Sequence, residues 1–242
     1  MASTRVDSVL HNLELLQNNL EKRDSFETGF SNLREGFEAL KLNLLFLKPV
    51  LLCARNWSND QLKVRLRAFL YKIEAAVNRP GMDIKSLYLR SKSSFNLKSV
   101  VTALKPVVSN LLGNIKSFKQ DIIDIYETLS SCSSSESGSC LRDYELVDFI
   151  DSVLQNLIDL LSRRYFESME DYNSALHAHI EALEDKLTFL KNFIGFAKFL
   201  GVEERELGDL LAHVQVVALN AARLSYKCLF YKDDEEMHDP RM

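Results

Sequence analysis

Apolar residues recur along most of the chain at spacings of three and four, with polar residues between them. An α-helix completes a turn in about 3.6 residues, so this spacing places the apolar side chains on one helical face. The pattern predicts helices over 6–22, 30–48, 62–76 and 101–129, a short helix over 83–91, and three more helices after residue 140. Side chains in the middle of the longer stripes are expected in the core, namely Ile115, Phe118, Leu187 and Val217.

Prolines and glycines predict where these helices stop. Pro49 should end or kink the second helix near Lys48, because proline lacks the N–H that an α-helix needs. The run 78–81, Asn-Arg-Pro-Gly, should stop the third helix. Pro106 predicts a kink or a fresh start inside the long pattern over 101–129.

A serine-rich segment, SSCSSSESGSC over 130–140, has no apolar stripe and predicts a flexible linker. It divides the chain into an N-terminal helical bundle over 1–129 and a C-terminal three-helix bundle over 141–231. Residues 232–242 form a charged tail. The linker is either a plain tether or a phosphorylation target, with candidate sites at Ser133, Ser134, Ser135 and Ser137.

Composition agrees with an all-α fold of about seven to eight helices. Among 242 residues there are only 8 glycines and 4 prolines, too few turn formers for a many-stranded β-sandwich or barrel. No apolar run reaches the roughly 18 residues that a membrane-spanning helix needs, and the N-terminus does not resemble a signal peptide. The four cysteines form no Cys-x-x-Cys pair, so we expect reduced thiols and a cytoplasmic protein.

Charge is distributed unevenly along the chain. Residues 61–120 hold 12 basic and 2 acidic side chains, whereas residues 121–242 hold 11 basic and 24 acidic ones. The basic stretch either docks on the acidic part of the same chain or forms a surface for an acidic protein or anionic lipid. No nucleic acid is expected, since the aromatic residues among the cations are too few for base stacking. The candidate binding residues are Lys63, Arg65, Arg67, Lys72, Arg79, Lys85 and Arg90.

Sequence motifs for catalysis are missing. There is no glycine-rich phosphate loop, no His-Glu-x-x-His and no Gly-x-Ser-x-Gly. His177 and Glu181 share a helical face, but a surface pair explains them. We therefore expect no enzyme, no catalytic or metal-binding residues and no cofactor in this chain.

Two segments resemble the N-terminal, solanaceous domain of late-blight-resistance-type immune receptors, which belong to the plant nucleotide-binding leucine-rich-repeat class. They are Leu183–Glu236 and Phe37–Lys48, and the similarity extends over essentially the whole chain. The resemblance implies further domains after Met242, one of which would bind ATP or ADP.

The resemblance also implies a function, a non-enzymatic interaction and regulatory module. Such a module contributes to effector sensing, autoinhibition and the hypersensitive defence response. Its partners would be a pathogen effector or guarded host protein, the receptor's own downstream domains, and in one alternative a second copy. The other hypothesis is a peripheral adaptor that binds anionic lipid through the basic stretch over 61–105.

Overall fold

The computed structural model describes residues 2–23, 31–57, 60–93, 97–135, 141–162, 172–203 and 206–230. These ranges contain eight α-helices and no β-strand, which confirms the all-α prediction. The helices are α1 (Ala2–Arg23), α2 (Ser31–Asn56), α3 (Asp60–Ser93), α4 (Leu97–Lys116), α5 (Lys119–Ser135), α6 (Asp143–Ser162), α7 (Tyr172–Phe199) and α8 (Gly208–Leu229).

The chain divides into two compact units. The first comprises residues 1–51 and 64–121, and the second comprises residues 52–63 and 122–242. Residues 52–63 and 122–129, which the sequence pattern assigned to the N-terminal bundle, therefore belong with the C-terminal part. The predicted tail over 232–242 lies outside the described residues.

In the first unit, α1 packs its predicted stripe into the core, with Val6, Leu13 and Leu16 fully buried. Polar contacts at its rim join it to α2 and α3. The Lys48 ammonium lies 2.9 Å from the Asp7 carboxylate, and the Arg5 guanidinium lies 2.9 Å from that of Glu74. Because both pairs are partly exposed, they orient the helices more than they stabilise them.

The predicted stop at residues 78–81 is wrong. α3 runs unbroken from Asp60 to Ser93 and includes the predicted short helix over 83–91. Its buried stripe continues on both sides of Pro80, through Val77 and Ile84. A Cβ added at Gly81 would lie 2.7 Å from Val9 Cγ2 of α1, so glycine stands here to permit close helix packing.

Pro49 and Pro106, the other two prolines of the described residues, also lie inside helices. α2 passes through Pro49 to Asn56, because nearly every residue from Leu42 to Leu51 is buried and this burial outweighs one lost hydrogen bond. The long pattern over 101–129 breaks at residues 117–118 and not at Pro106. There the Phe118 N–H donates to the Ile115 carbonyl at 3.1 Å, and the Ser117 hydroxyl donates to the Asn114 carbonyl at 2.7 Å. These contacts tighten and end the last turn of α4.

The first six residues of the predicted serine-rich linker are helical. α5 continues through Ser135, whereas residues 136–140 lie outside the described residues. Leu129 is fully buried and holds this end of the helix in the core. The Ser131 hydroxyl donates to the Glu127 carbonyl at 2.9 Å, so serine is accommodated within the helical hydrogen-bond pattern.

In the second unit, α6 packs against both α7 and α8. Its inner face buries a continuous apolar stripe that includes Phe149, Val153 and Leu157. The Glu145 carboxylate accepts the Arg142 N–H at 3.0 Å, which is the reach-back half of a capping box. The buried Gln215 side chain of α8 accepts the Leu141 N–H at 2.9 Å, so a long-range hydrogen bond fixes the chain where α6 begins.

Candidate interaction surface

Helix α3 has two faces with different composition. Its inner face buries the apolar stripe of Leu66, Phe69, Ile73, Val77, Ile84 and Leu87. The Phe69 ring meets the Phe118 ring edge-on, with centroids 6.3 Å apart. Because this face is anchored in the core of the first unit, the opposite face is held toward solvent.

Six of the seven predicted basic residues lie on exposed parts of α3, namely Arg65, Arg67, Lys72, Arg79, Lys85 and Arg90. The seventh, Lys63, is half-buried and belongs to the second unit. One unbroken helix thus presents these six cations, whereas the sequence pattern divided them between a helix over 62–76, a stop at residues 78–81 and a short helix over 83–91. That they bind a partner stays a prediction.

Two of the six cations of this face, Arg65 and Lys72, have partners within the chain. Lys72 pairs with Asp121 at 3.2 Å, but both side chains are about half exposed, so the pair is weak. The Lys92 ammonium lies 4.6 Å from the centroid of the Tyr88 ring. Arg67, Arg79, Lys85 and Arg90 take part in none of the salt bridges among the described residues. Their charge is available to a molecule that approaches from outside.

Large apolar side chains project from the same outer face. Val64 is 75% exposed, Tyr71 76%, Met82 59% and Leu89 54%. This stripe was not predicted from the sequence, although the spacing of its residues would have revealed it. Val64 and Met82 are 18 residues apart, as are Tyr71 and Leu89, and this separation is about five helical turns. The four side chains therefore line up on the solvent side of α3.

An open groove of about 550 Å³ runs between α3 and α4. Pro80 and Pro106 both line it, together with Arg79, Asp83, Asn110 and residues with small side chains. Among the described residues, no group of three or more His, Cys, Asp or Glu side chains is placed to hold a metal ion. The groove extends the surface of α3 beside Arg79.

The candidate phosphorylation sites can be located only in part. Ser133, Ser134 and Ser135 lie in the last turn of α5, and Ser137 lies outside the described residues. A phosphate at the C-terminal end of a helix is unfavourable, because the helix dipole places partial negative charge there. Phosphorylation at these positions would weaken the end of α5.

A second exposed apolar patch lies along α7 and on the residue that follows its last turn. It consists of Phe189, Phe193, Phe196, Phe199 and Leu200, and the Phe189 and Phe193 rings are stacked with centroids 6.4 Å apart. The buried seam of α7 is narrow and contains Ile180, Leu187 and Ile194.

His177 and Glu181, the pair predicted to share a helical face, lie close together. The His177 Nδ1 atom is 3.5 Å from the Glu181 Oε1 atom, and both side chains are partly exposed.

Three titratable side chains of the second unit, those of Cys53, Tyr126 and Tyr226, are buried. Burial raises the pKa of the Cys53 thiol and of the Tyr226 hydroxyl far above their ordinary values. Burial also raises the pKa of Tyr126, with smaller contributions from Cys53 and Tyr226. At neutral pH all three groups are protonated and serve as core side chains.

No helix in the described part of the chain has the length and apolarity needed to cross a membrane.

The chain matches a family model over residues 113–241, more than half of its length. The model is described as NB-LRR: Late blight resistance protein R1. The match includes the similar segment Leu183–Glu236 and begins after Phe37–Lys48. No curated protein and no solved structure matches the chain significantly. On the family match, the chain is a disease-resistance receptor domain and belongs to the late blight resistance protein R1 family of NB-LRR proteins.

Proposed function

We propose that the chain is a non-enzymatic interaction and regulatory module, and that it contacts protein partners through the outer face of α3. In this proposal it works in the cytoplasm and contributes to effector sensing, to autoinhibition and to the hypersensitive response. Nucleotide binding belongs to another domain of the receptor, and this chain takes no cofactor. Association with a second copy stays a prediction.

One observation carries the proposal. Four exposed cations of α3 take part in no salt bridge among the described residues, namely Arg67, Arg79, Lys85 and Arg90. They lie beside exposed apolar side chains. Isolated surface lysines and arginines are common, but cations around an aligned apolar stripe combine the two features of a protein-binding face. Such a face gains affinity from apolar burial and selects its partner by charge.

The alternative is an anionic membrane surface. Interfacial helices also combine cations with apolar side chains, but they insert a broad apolar face into the headgroup region. The broad apolar face of α3 is turned inward, and only four large side chains project outward. This geometry favours a protein partner.

The proposal is tested in the receptor that carries the module. The variant pairs Arg67→Glu with Lys85→Glu and Arg79→Glu with Arg90→Glu each reverse two charges on the face. The matched control reverses Lys22 and Arg34, which are exposed on α1 and α2. Receptors with each pair are expressed in leaf tissue at equal protein level, and cell death is scored with and without pathogen challenge.

We expect both pairs on the face to change either the resting or the triggered response, whereas the control behaves as wild type. Thermal melts of the purified chain should be the same for all variants, because every substituted side chain is exposed. Wild-type responses from both pairs would exclude a role of this face in the receptor.

A further inference from the structure

The outer face of α3 has the layout of one half of a helix–helix interface. Val64, Tyr71, Met82 and Leu89 form its central stripe, and the small side chains of Ala68 and Ala75 lie between them on the same side. From Val64 to Leu89 the stripe is roughly 37 Å long, at a rise of about 1.5 Å per residue. The 18-residue spacing follows a straight helix and not a supercoiled heptad repeat.

Cations border the stripe on both sides. Arg65, Lys72 and Arg90 each follow a stripe residue by one position, which is a rotation of about 100° in one direction. Arg67 and Lys85 each follow a stripe residue by three positions, which is about 60° in the other direction. The acidic residues of α3 are Asp60, Glu74 and Asp83, and the Glu74 carboxylate is paired with Arg5.

This arrangement identifies the chemistry of a partner. We propose that α3 binds an acidic amphipathic helix of another protein segment, which lays an apolar ridge along the stripe and carboxylates along both borders. The inference rests on the proposed function and names the partner class for the same surface. A partner nearly parallel to α3 needs about 25 residues to contact the whole stripe.

The two parts of the surface have separate roles. The apolar stripe supplies affinity, because partner contact removes its exposed area from water. The bordering cations select acidic over basic helices and accelerate association, and their contribution weakens with salt. An anionic membrane would use the same charges, but it would not require a helical partner with an apolar ridge.

The experiment titrates the full chain with synthetic peptides and follows fluorescence anisotropy. The probe has about 25 residues, with leucines three and four apart on one face and glutamates on both sides. A permuted peptide has the same composition but no apolar face. Vesicles that contain phosphatidylserine are the third ligand. Chain variants are Tyr71→Ser with Met82→Ser, Arg67→Glu with Lys85→Glu, and the control pair Lys22→Glu with Arg34→Glu.

We expect the amphipathic peptide to bind, the permuted peptide to bind at least about tenfold more weakly, and the control variant to bind as wild type. Both variants of the α3 face should lose about tenfold or more in affinity. The serine variant should keep the salt dependence of the remaining binding, whereas the glutamate variant should lose it.

Equal binding of the permuted peptide would overturn the inference, since charge alone would then suffice. Wild-type affinity in either variant of the α3 face would overturn it as well, and binding to vesicles without binding to the peptide would identify a membrane surface instead. The receptor assay separates the two levels. An altered defence response without peptide binding leaves the proposed function standing with another partner. Peptide binding without an altered response refutes the function alone.

Discussion

The close packing at Gly81 predicts that one substitution has opposite effects at two sites. A helical Gly→Ala change is favourable by about 1 kcal/mol, because alanine restricts the unfolded chain and suits the helix. At Gly113 in α4, an added Cβ meets no atom within 4 Å, so Gly113→Ala should stabilise the protein by about this amount. At Gly81 the same Cβ would lie 2.7 Å from Val9 Cγ2, closer than carbon atoms approach.

The stiffness of Val9 determines the cost at Gly81. Valine is β-branched with one preferred rotamer in a helix, and Val9 is buried, so its methyl group cannot turn away. Inserting a methyl group into a packed core costs about 1–3 kcal/mol. After the gain in helix propensity, Gly81→Ala should destabilise by about 0–2 kcal/mol and differ from Gly113→Ala by about 1–3 kcal/mol.

Chemical denaturation followed by circular dichroism measures both variants, and a double-mutant cycle isolates the contact. In a Val9→Ala background the colliding methyl group is gone, so Gly81→Ala should become stabilising by about 1 kcal/mol. If Gly81→Ala stabilises the wild-type chain as much as Gly113→Ala does, α1 and α3 do not approach closely at this point.

Two further predictions concern the second unit. Leu187→Ala should lower the free energy of unfolding by about 2–5 kcal/mol, because Leu187 is fully buried. Phe196→Ser, on the exposed face of the same helix, should leave the melting temperature unchanged. Equal melting temperatures for the two variants would show that the buried seam of α7 is misplaced. Burial would raise the pKa of Glu145, but hydrogen bonds from Arg142, the charge of Arg142 and a hydrogen bond from Tyr144 lower it below its usual 4.5. The ionised form is therefore favoured in the fold, and its stabilisation is present at neutral pH and lost as the pH falls below 4.5. Glu145→Gln should flatten this part of the pH profile of the denaturation midpoint, and an unchanged slope would contradict the role of the carboxylate.

Sequence periodicity predicted the helices well where bulky apolar residues line one face. The stripe through Val6 and Leu13 in α1 is buried as expected. In α7, Ile180, Leu187 and Ile194 are buried, but Leu183 and Leu190 of the same pattern are half-buried. Periodicity failed where polar or small residues do the packing. In α8, Val217 was expected in the core, but it is half-buried, and Leu224, seven residues further along the same apolar pattern, is exposed.

The buried face of α8 is rotated from the predicted one because it contains polar residues. Gln215 and Ser225 are fully buried with their hydrogen bonds satisfied, Gln215 by the Leu141 N–H and Ser225 by the Ala222 carbonyl. A hydrophobicity pattern cannot anticipate a partner 74 positions away in the chain. In α4 and α5, Ile115 is buried as predicted, whereas Phe118 lies at the helix break and is half-buried.

Only the charged part of the candidate interaction surface was predicted from the sequence. The excess of lysine and arginine over 61–120 identified the cations, since charge can be counted without a structure. The exposed stripe was not identified, because Val64 and Leu89 are single apolar residues in a helix that already has a complete apolar face. The outer residues are distinguishable only when the inner face of α3 is known to be buried in the core.

Because Cys53 is buried, the rate at which its thiol reacts can measure how often the second unit opens. Thiol reagents attack the thiolate, and here the sulfur is both inaccessible and held protonated. In a chain with Cys132, Cys140 and Cys228 replaced by serine, covalent labelling would then proceed only during excursions that expose the end of α2. The labelling rate of this sulfur atom would report how often the second unit opens. A lower rate on addition of a partner would show that binding at the α3 face makes these openings rarer.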